Sequence, residues 1–197
     1  MFKKLILGIL GLLGLIKKSK PYRTYGNAAF LEAIKIPGTV VLVGGPSGAL
    51  PAGIEAATDS FWAHVFGITE PGWCIEAEGG GIEHNALDGY LSDTCQMAAF
   101  QFQLTPDQQG KLLSWVRGQI GKPYGFLEFL EELLPDPSTE APIRDQSHIC
   151  SALWACAFQQ IGISIVPKGV DPRLATPGDV WNGCFSNLQC KAFRFNW

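Results

Sequence analysis

The 197-residue sequence predicts an α+β domain in which a small antiparallel sheet packs against helices. Three observations predict it. Short runs rich in β-branched and aromatic residues recur between residues 40 and 104, each bounded by glycine or proline. Longer segments with helix start signals follow them. No internal repeat interrupts that order, and the length suits one domain able to bury its own core.

Composition narrows the class further. With 47% hydrophobic and 17% charged residues the chain is folded rather than disordered. Its net charge is −3 and no basic stripe runs through the body, which argues against nucleic acid as a partner.

Residues 1–20, "MFKKLILGILGLLGLIKKSK", form an apolar stretch flanked by lysines. As a helix, the apolar part from Leu5 to Ile16 reaches about 18 Å, short of the roughly 30 Å of a bilayer core. A small-x-small cleavage site is missing and a second basic cluster follows at once, unlike an ordinary secretory signal. Gly8, Gly11 and Gly14 give a smooth face suited to close packing. The reading is an anchor or docking segment, for a membrane surface or a protein partner. An uncleaved signal and a plain core helix are the alternatives. Residues 21–197 are then a single domain.

Within it, "PYRTYGNAAFLEAIKI" reads as a lead-in with one short helix. "PGTVVLVGG" (37–45) holds a buried strand in its β-branched run. "GGPSGALPAG" (44–53) is a loop, with the signature of neither a phosphate loop nor a nucleophile elbow. "FWAHVFGIT" (61–69) and "GWCIEAEGG" (72–80) are the next strands, joined by a turn at Glu70-Pro71-Gly72. "GGGIEHN" is loop-like, and "MAAFQFQL" (97–104) is a further strand. "TPDQQGKLLSWVRGQIG" starts a helix with Thr105 as N-cap and Pro106 at the first helical position. "KPYGFLEFLEELL" is turn and helix, and "PDPSTEAPIRDQ" a loop. Ser147 or Asp145 caps the helix of "HICSALWACAFQQIG", and "TPGDVWNGC" and "CKAFRFNW" close the chain as a short helix and a strand.

The chemistry centres on cysteine. Cysteines stand at 74, 95, 150, 156, 184 and 190, with no zinc-ligand spacing. Cys184 and Cys190 are the local pair best placed for a disulfide, which a domain of this size does not need. With Ser147 as the N-cap, Cys150 falls at the third helical position, where free amides and the helix dipole favour a thiolate. Cys156, mid-helix between alanines, packs as a small apolar residue. A reactive cysteine needs a base and a group that orients the base. Of His64, His84 and His148, the last shares the helix of Cys150 but points to another face, and His84 lies in the loop-like stretch. His64 lies inside a strand, and Glu76 on the next strand is the polar residue that could hold its imidazole. Tyr124 reads as packing, and Trp62, Trp73 and Trp154 as core or cleft walls.

In order, "PGTVVLVGG", "AHVFGI", "CIEAEGGGI", "GKPYGF", "CSALWACAFQQIGI" and "TPGDVW" resemble the circularly permuted branch of the NlpC/P60 papain-like superfamily. Its relatives include YiiX/YebB-like proteins and, more remotely, the lecithin-retinol acyltransferase group. The resemblance spans roughly residues 37 to 182. It implies a papain-like fold, with the sheet against the nucleophile helix, and a thiol hydrolase. Cys150 would be the nucleophile, His64 the base and Glu76 the third member, with no metal or cofactor. The implied activity is a cysteine amidase or peptidase acting through a thioacyl-enzyme on peptide or acyl amides, peptidoglycan peptide stems first. The apolar N-terminus points to the cell envelope, or to an assembly that contacts it, as the place of action. The alternatives are a lipid acyl hydrolase or acyltransferase, and a silent docking module of the same fold. "PGTV" stands where relatives often have Pro-Gly-Asp, and the N-terminal segment has no counterpart in the family pattern.

Overall fold

The computed structural model describes residues 27–44, 60–91, 96–123 and 149–195. The apolar N-terminal segment, the 44–53 loop beyond Gly44, Cys95, and the stretch holding Tyr124, Asp145, Ser147 and His148 lie outside these residues. A six-stranded sheet forms the frame, in the order β4-β3-β2-β1-β5-β6. Its strands are β1 Val40–Gly44, β2 Trp62–Glu70, β3 Trp73–Glu78, β4 Gly81–Ala86, β5 Gln96–Phe102 and β6 Cys190–Phe195. Every pairing is antiparallel. The α-helices among these residues are α1 Asn27–Ala33, α2 Pro106–Arg117, α3 Cys150–Gln159 and α4 Pro177–Ser186.

The central strand explains the layering. β1 is buried along its whole length, as a continuous β-branched run requires when both faces of a sheet are covered. Val41 and Val43 pack with Phe66, Ile68 and Met97 against Phe30, Ala33 and Ile34, the buried side of α1 and its end. Val40 and Leu42 face the opposite way, into a larger core with Leu112 and Val116 of α2, Leu153, Trp154 and Phe158 of α3, and Val180 of α4. Among the described residues the result is three layers, with one helix on one face of the sheet and three on the other.

Local chemistry sets the helix ends. α2 begins with a capping box, in which the Thr105 side chain accepts from the Gln108 amide while Gln108 reaches back, and Pro106 takes the first position. α4 repeats the device with Thr176, Pro177 and Asp179. α3 has no polar face: Cys150 through Phe158 are all buried, which marks a helix enclosed on every side. One contact brings it especially close to β2. A Cβ on Gly67 would lie 2.3 Å from the Trp154 ring, so glycine lets the indole lie flat on the strand. The Trp154 Nε1–H then donates to the Ile75 carbonyl of β3 at 2.9 Å.

The structure differs from the sequence reading at "GGGIEHN". These residues include β4, which pairs with β3 along its length, His84 opposite Ile75. Gly81, at φ 127°, turns the chain between them, and Ile82 is the buried apolar residue that anchors the strand. With exposed or half-exposed Glu83, His84 and Asn85 on an edge strand, little apolar alternation remained to signal it. Cys184 and Cys190 form no disulfide: they are free thiols, as are Cys74, Cys150 and Cys156. Cys184 instead packs under α4 against the Ile165 carbonyl.

Candidate active site

The site is assembled where β2 and β3 part. Their ladder runs from the turn as far as Phe66 opposite Glu76. His64 is two residues beyond Phe66 on the same face of β2, so its imidazole lies diagonally across from Glu76, within side-chain reach. Its Nε2–H donates to Glu76 Oε2 at 2.7 Å. Past Phe66, the Val65 amide is not in the β2–β3 ladder. It points to the sulfur of Cys150, which the start of α3 inserts at this place.

α3 starts later than the sequence reading places it. Ile149, extended at φ −79° and ψ 162°, is the N-cap, and Cys150 is the first helical residue, not the third. Isoleucine has no side-chain acceptor to cap the first turn. The first intrahelical bond runs from Leu153 N–H to the Ile149 carbonyl, so the amides of residues 150–152 have no acceptor within the helix. The Ser151 amide points back to the Cys150 sulfur. The Ser151 hydroxyl donates to the Ala175 carbonyl at 2.5 Å, tying the helix start to the residue before the Thr176 cap.

Cys150, His64 and Glu76 thus form one chain of contacts. With Nε2 engaged by Glu76, the other imidazole nitrogen is left for the thiol, and the two share a hydrogen bond. The protonation states follow from competing effects. Burial disfavours the Cys150 thiolate, but the charge and hydrogen bond of His64 and the amides of Val65 and Ser151 outweigh it, so the thiol pKa is lowered. Burial likewise disfavours the imidazolium, yet the Cys150 charge and the Glu76 carboxylate raise His64 from 6.5 to about 10. Glu76 is 1% exposed. Its burial works against charge, but bonds from His64, Tyr90 and Asn85 lower its pKa. Both shifts favour a thiolate beside an imidazolium, with the Glu76 carboxylate beyond the ring.

The other thiols behave oppositely. Cys156, 6% exposed, is raised to about 11 by burial. Burial also raises Cys74, Cys184 and Cys190. Among the described cysteines with a shifted pKa, Cys150 alone moves toward the thiolate.

Two residues of the site were not read from the sequence. Tyr90, just past the 3-10 turn Leu87–Gly89, donates its hydroxyl to Glu76 Oε2 at 2.5 Å. Asn85 of β4 donates Nδ2–H to Glu76 Oε1 at 3.0 Å. The Tyr90 ring also stacks on the His64 ring, 11° from parallel with centroids 6.2 Å apart. A polar Asn opposite Cys74, diagonally across from an internal glutamate, was the available signal, hidden once that strand read as loop.

The remaining candidates lie apart. His84 bonds Thr69 Oγ1 at 3.0 Å, approaches Glu70 and packs on Trp73. Trp73 is 43% exposed, not core, because it opens β3 at the sheet margin, whereas Trp62 and Trp154 are buried as expected. For a metal, ligand atoms of His64, Glu76 and Glu78 lie within 4.8 Å of one another.

No protein-family model matches the sequence, and no curated protein does. Among solved structures, the crystal structure of the metalloprotein yiiX from Escherichia coli O157:H7 is similar at 17% identity. The match covers 82% of this chain and 97% of that one, with a TM-score of 0.59. At that identity the likeness is one of architecture: the chain has a yiiX-like, papain-like α+β fold, its six-stranded antiparallel sheet packed against the helix that begins at Cys150.

Proposed function

We propose that the protein is a cysteine hydrolase of the permuted NlpC/P60 type that cleaves amides through a thioacyl-enzyme. One observation carries the reading. The Cys150 sulfur, at an uncapped helix start, meets the imidazole of His64, whose far nitrogen is bound to the buried Glu76 carboxylate. These are the three roles of nucleophile, base and orienting group.

The chemistry runs as follows. The Cys150 thiolate attacks the substrate carbonyl carbon, and the helix-start amides stabilise the oxyanion that forms. The imidazolium of His64 gives its proton to the leaving amine as the C–N bond breaks, leaving a thioester on Cys150. Neutral His64 then takes a proton from water, the hydroxide adds to the thioester, and the acid departs as the thiolate reforms. Glu76 keeps the imidazole oriented and balances its charge. The substrate class that fits the sequence resemblance is a cell-envelope peptide amide, with a lipid acyl ester or amide as the alternative. The lysine-flanked residues 1–20 would hold the enzyme at a membrane surface or a protein partner.

A second reading is a metal centre, favoured by the metalloprotein likeness and the proximity of His64, Glu76 and Glu78. The donor set does not fit it. Glu76 Oε2 accepts from both His64 and Tyr90, and Oε1 from Asn85. Hydrogen-bond donors aimed at a carboxylate stabilise an anion and compete with a cation for its lone pairs.

The test is iodoacetamide alkylation of each cysteine between pH 5 and 9, resolved by peptide mass spectrometry, for the wild type and His64→Ala. Cys150 is expected to react fast below pH 7, far ahead of Cys156, and to slow in the variant. Equal rates for Cys150 and Cys156 would reduce the chain to a docking module. Stoichiometric metal in the purified protein, lost on Glu78→Gln, would establish the second reading.

A further inference from the structure

Resting on the hydrolase reading, the geometry points to Tyr90 and Asn85 as positioning residues that set the state of the nucleophile through Glu76, without touching it. A carboxylate that orients a histidine must itself be held in one plane, because rotation about its terminal bond would carry the accepting oxygen away from the ring. Glu76 is held at both ends. Tyr90 Oη–H binds Oε2, the oxygen that also accepts from His64, and Asn85 Nδ2–H binds Oε1. The two donors come from different places, the end of the 3-10 turn and edge strand β4, so their directions fix the plane. The Tyr90 ring adds a second restraint by stacking on the imidazole.

The same donors govern charge. Among the described residues, the titratable groups around the pair are Cys150 from α3, Cys74 and Glu78 from β3, Glu83 opposite Glu76 on β4, and Tyr90. Cys74 and Glu78 bring no positive charge to offset a buried carboxylate. The offset comes from His64 and from the two neutral donors. With fewer donors the buried carboxylate takes up its own proton at higher pH, the imidazolium loses its counter-charge, and the Cys150 thiolate loses its cation.

The experiment uses the full chain with Tyr90→Phe, Asn85→Ala, Glu76→Gln and the double variant Tyr90→Phe/Glu76→Gln. Two curves are recorded: the pH profile of Cys150 alkylation by iodoacetamide, and the titration of the His64 imidazole by NMR. Each single donor deletion is expected to raise the alkylation midpoint by about one pH unit, as loss of a bond to a buried charge implies. In the Glu76→Gln background Tyr90→Phe should add almost nothing, because its effect runs through that carboxylate. The proposal is overturned if Tyr90→Phe and Asn85→Ala lower thermal stability but leave both curves in place. It is also overturned if Tyr90→Phe shifts them equally with and without Glu76. If the wild type shows no low-pH thiolate while the His64 titration still moves on Tyr90→Phe, positioning stands and the hydrolase reading fails.

Discussion

At the scale of single residues, the decisive fact about Glu76 is that burial and charge are in conflict there. A carboxylate 1% exposed keeps its charge only because three donors face it. Glu76→Gln keeps the shape and removes the charge, taking away one of the two anions that stabilise the His64 imidazolium. At pH 6.5 the rate advantage of Cys150 over Cys156 toward iodoacetamide should fall at least about tenfold, the equivalent of one pKa unit. An unchanged ratio would mean that the helix start alone activates the thiol. The sequence made much of this legible. A histidine inside one strand and a glutamate among apolar neighbours on the next can meet only if the strands pair, and they do. The cap of α3 was misread because Ser147 is a strong capper by type, whereas the residue at the helix boundary is Ile149. Tyr90 and Asn85 escaped because their meeting depends on a turn and an edge strand with little apolar alternation.

At the scale of elements, the site depends on how α3 sits on the sheet. Gly67 admits the Trp154 ring, and the indole N–H binds the Ile75 carbonyl between its strand contacts. Gly67→Ala would put a methyl group 2.3 Å from that ring. Overpacking of this kind costs roughly 1–3 kcal/mol. It would also lift the helix whose first residue is Cys150. Urea unfolding should register the loss, and Cys150 alkylation at pH 6.5 should slow with it. A stability loss without slower alkylation would show that the helix start is held independently, through Ser151 and Ala175. The strands of the central hairpin and the capped helices were legible because alternation, a three-residue turn and Thr-Pro starts are local signals. β4 was not, since only Ile82 speaks for it.

For the whole molecule, the thiols make stability depend on pH in a readable way. His64, raised to about 10, contributes fully below 6.5 and loses that contribution as pH rises through 10. Cys150, lowered, contributes fully above 9.0 and loses it as pH falls through its folded value. Where the two windows overlap, below 9.0, the slopes oppose and offset each other. Above 9.0 the thiol slope ends and the histidine slope continues. Cys74, Cys156, Cys184 and Cys190, all raised by burial, add to the fall because the unfolded chain ionises them first. Under reducing conditions the melting temperature should therefore drop steeply from about pH 9 to 11. A melting temperature unchanged up to pH 11 would contradict the raised pKa of those four thiols.

On the proposed hydrolase reading, the parting of β2 and β3 also bears on the order in which the chain becomes dangerous to its surroundings. Histidine and glutamate are twelve residues apart on neighbouring strands, a contact that closes quickly, whereas the thiol arrives from far along the chain and waits on long-range docking. Until α3 seats in that gap, Cys150 has neither the strand amide nor the imidazole that sharpen it. A half-folded copy therefore carries a dull sulfur, and reactivity appears only in the finished molecule.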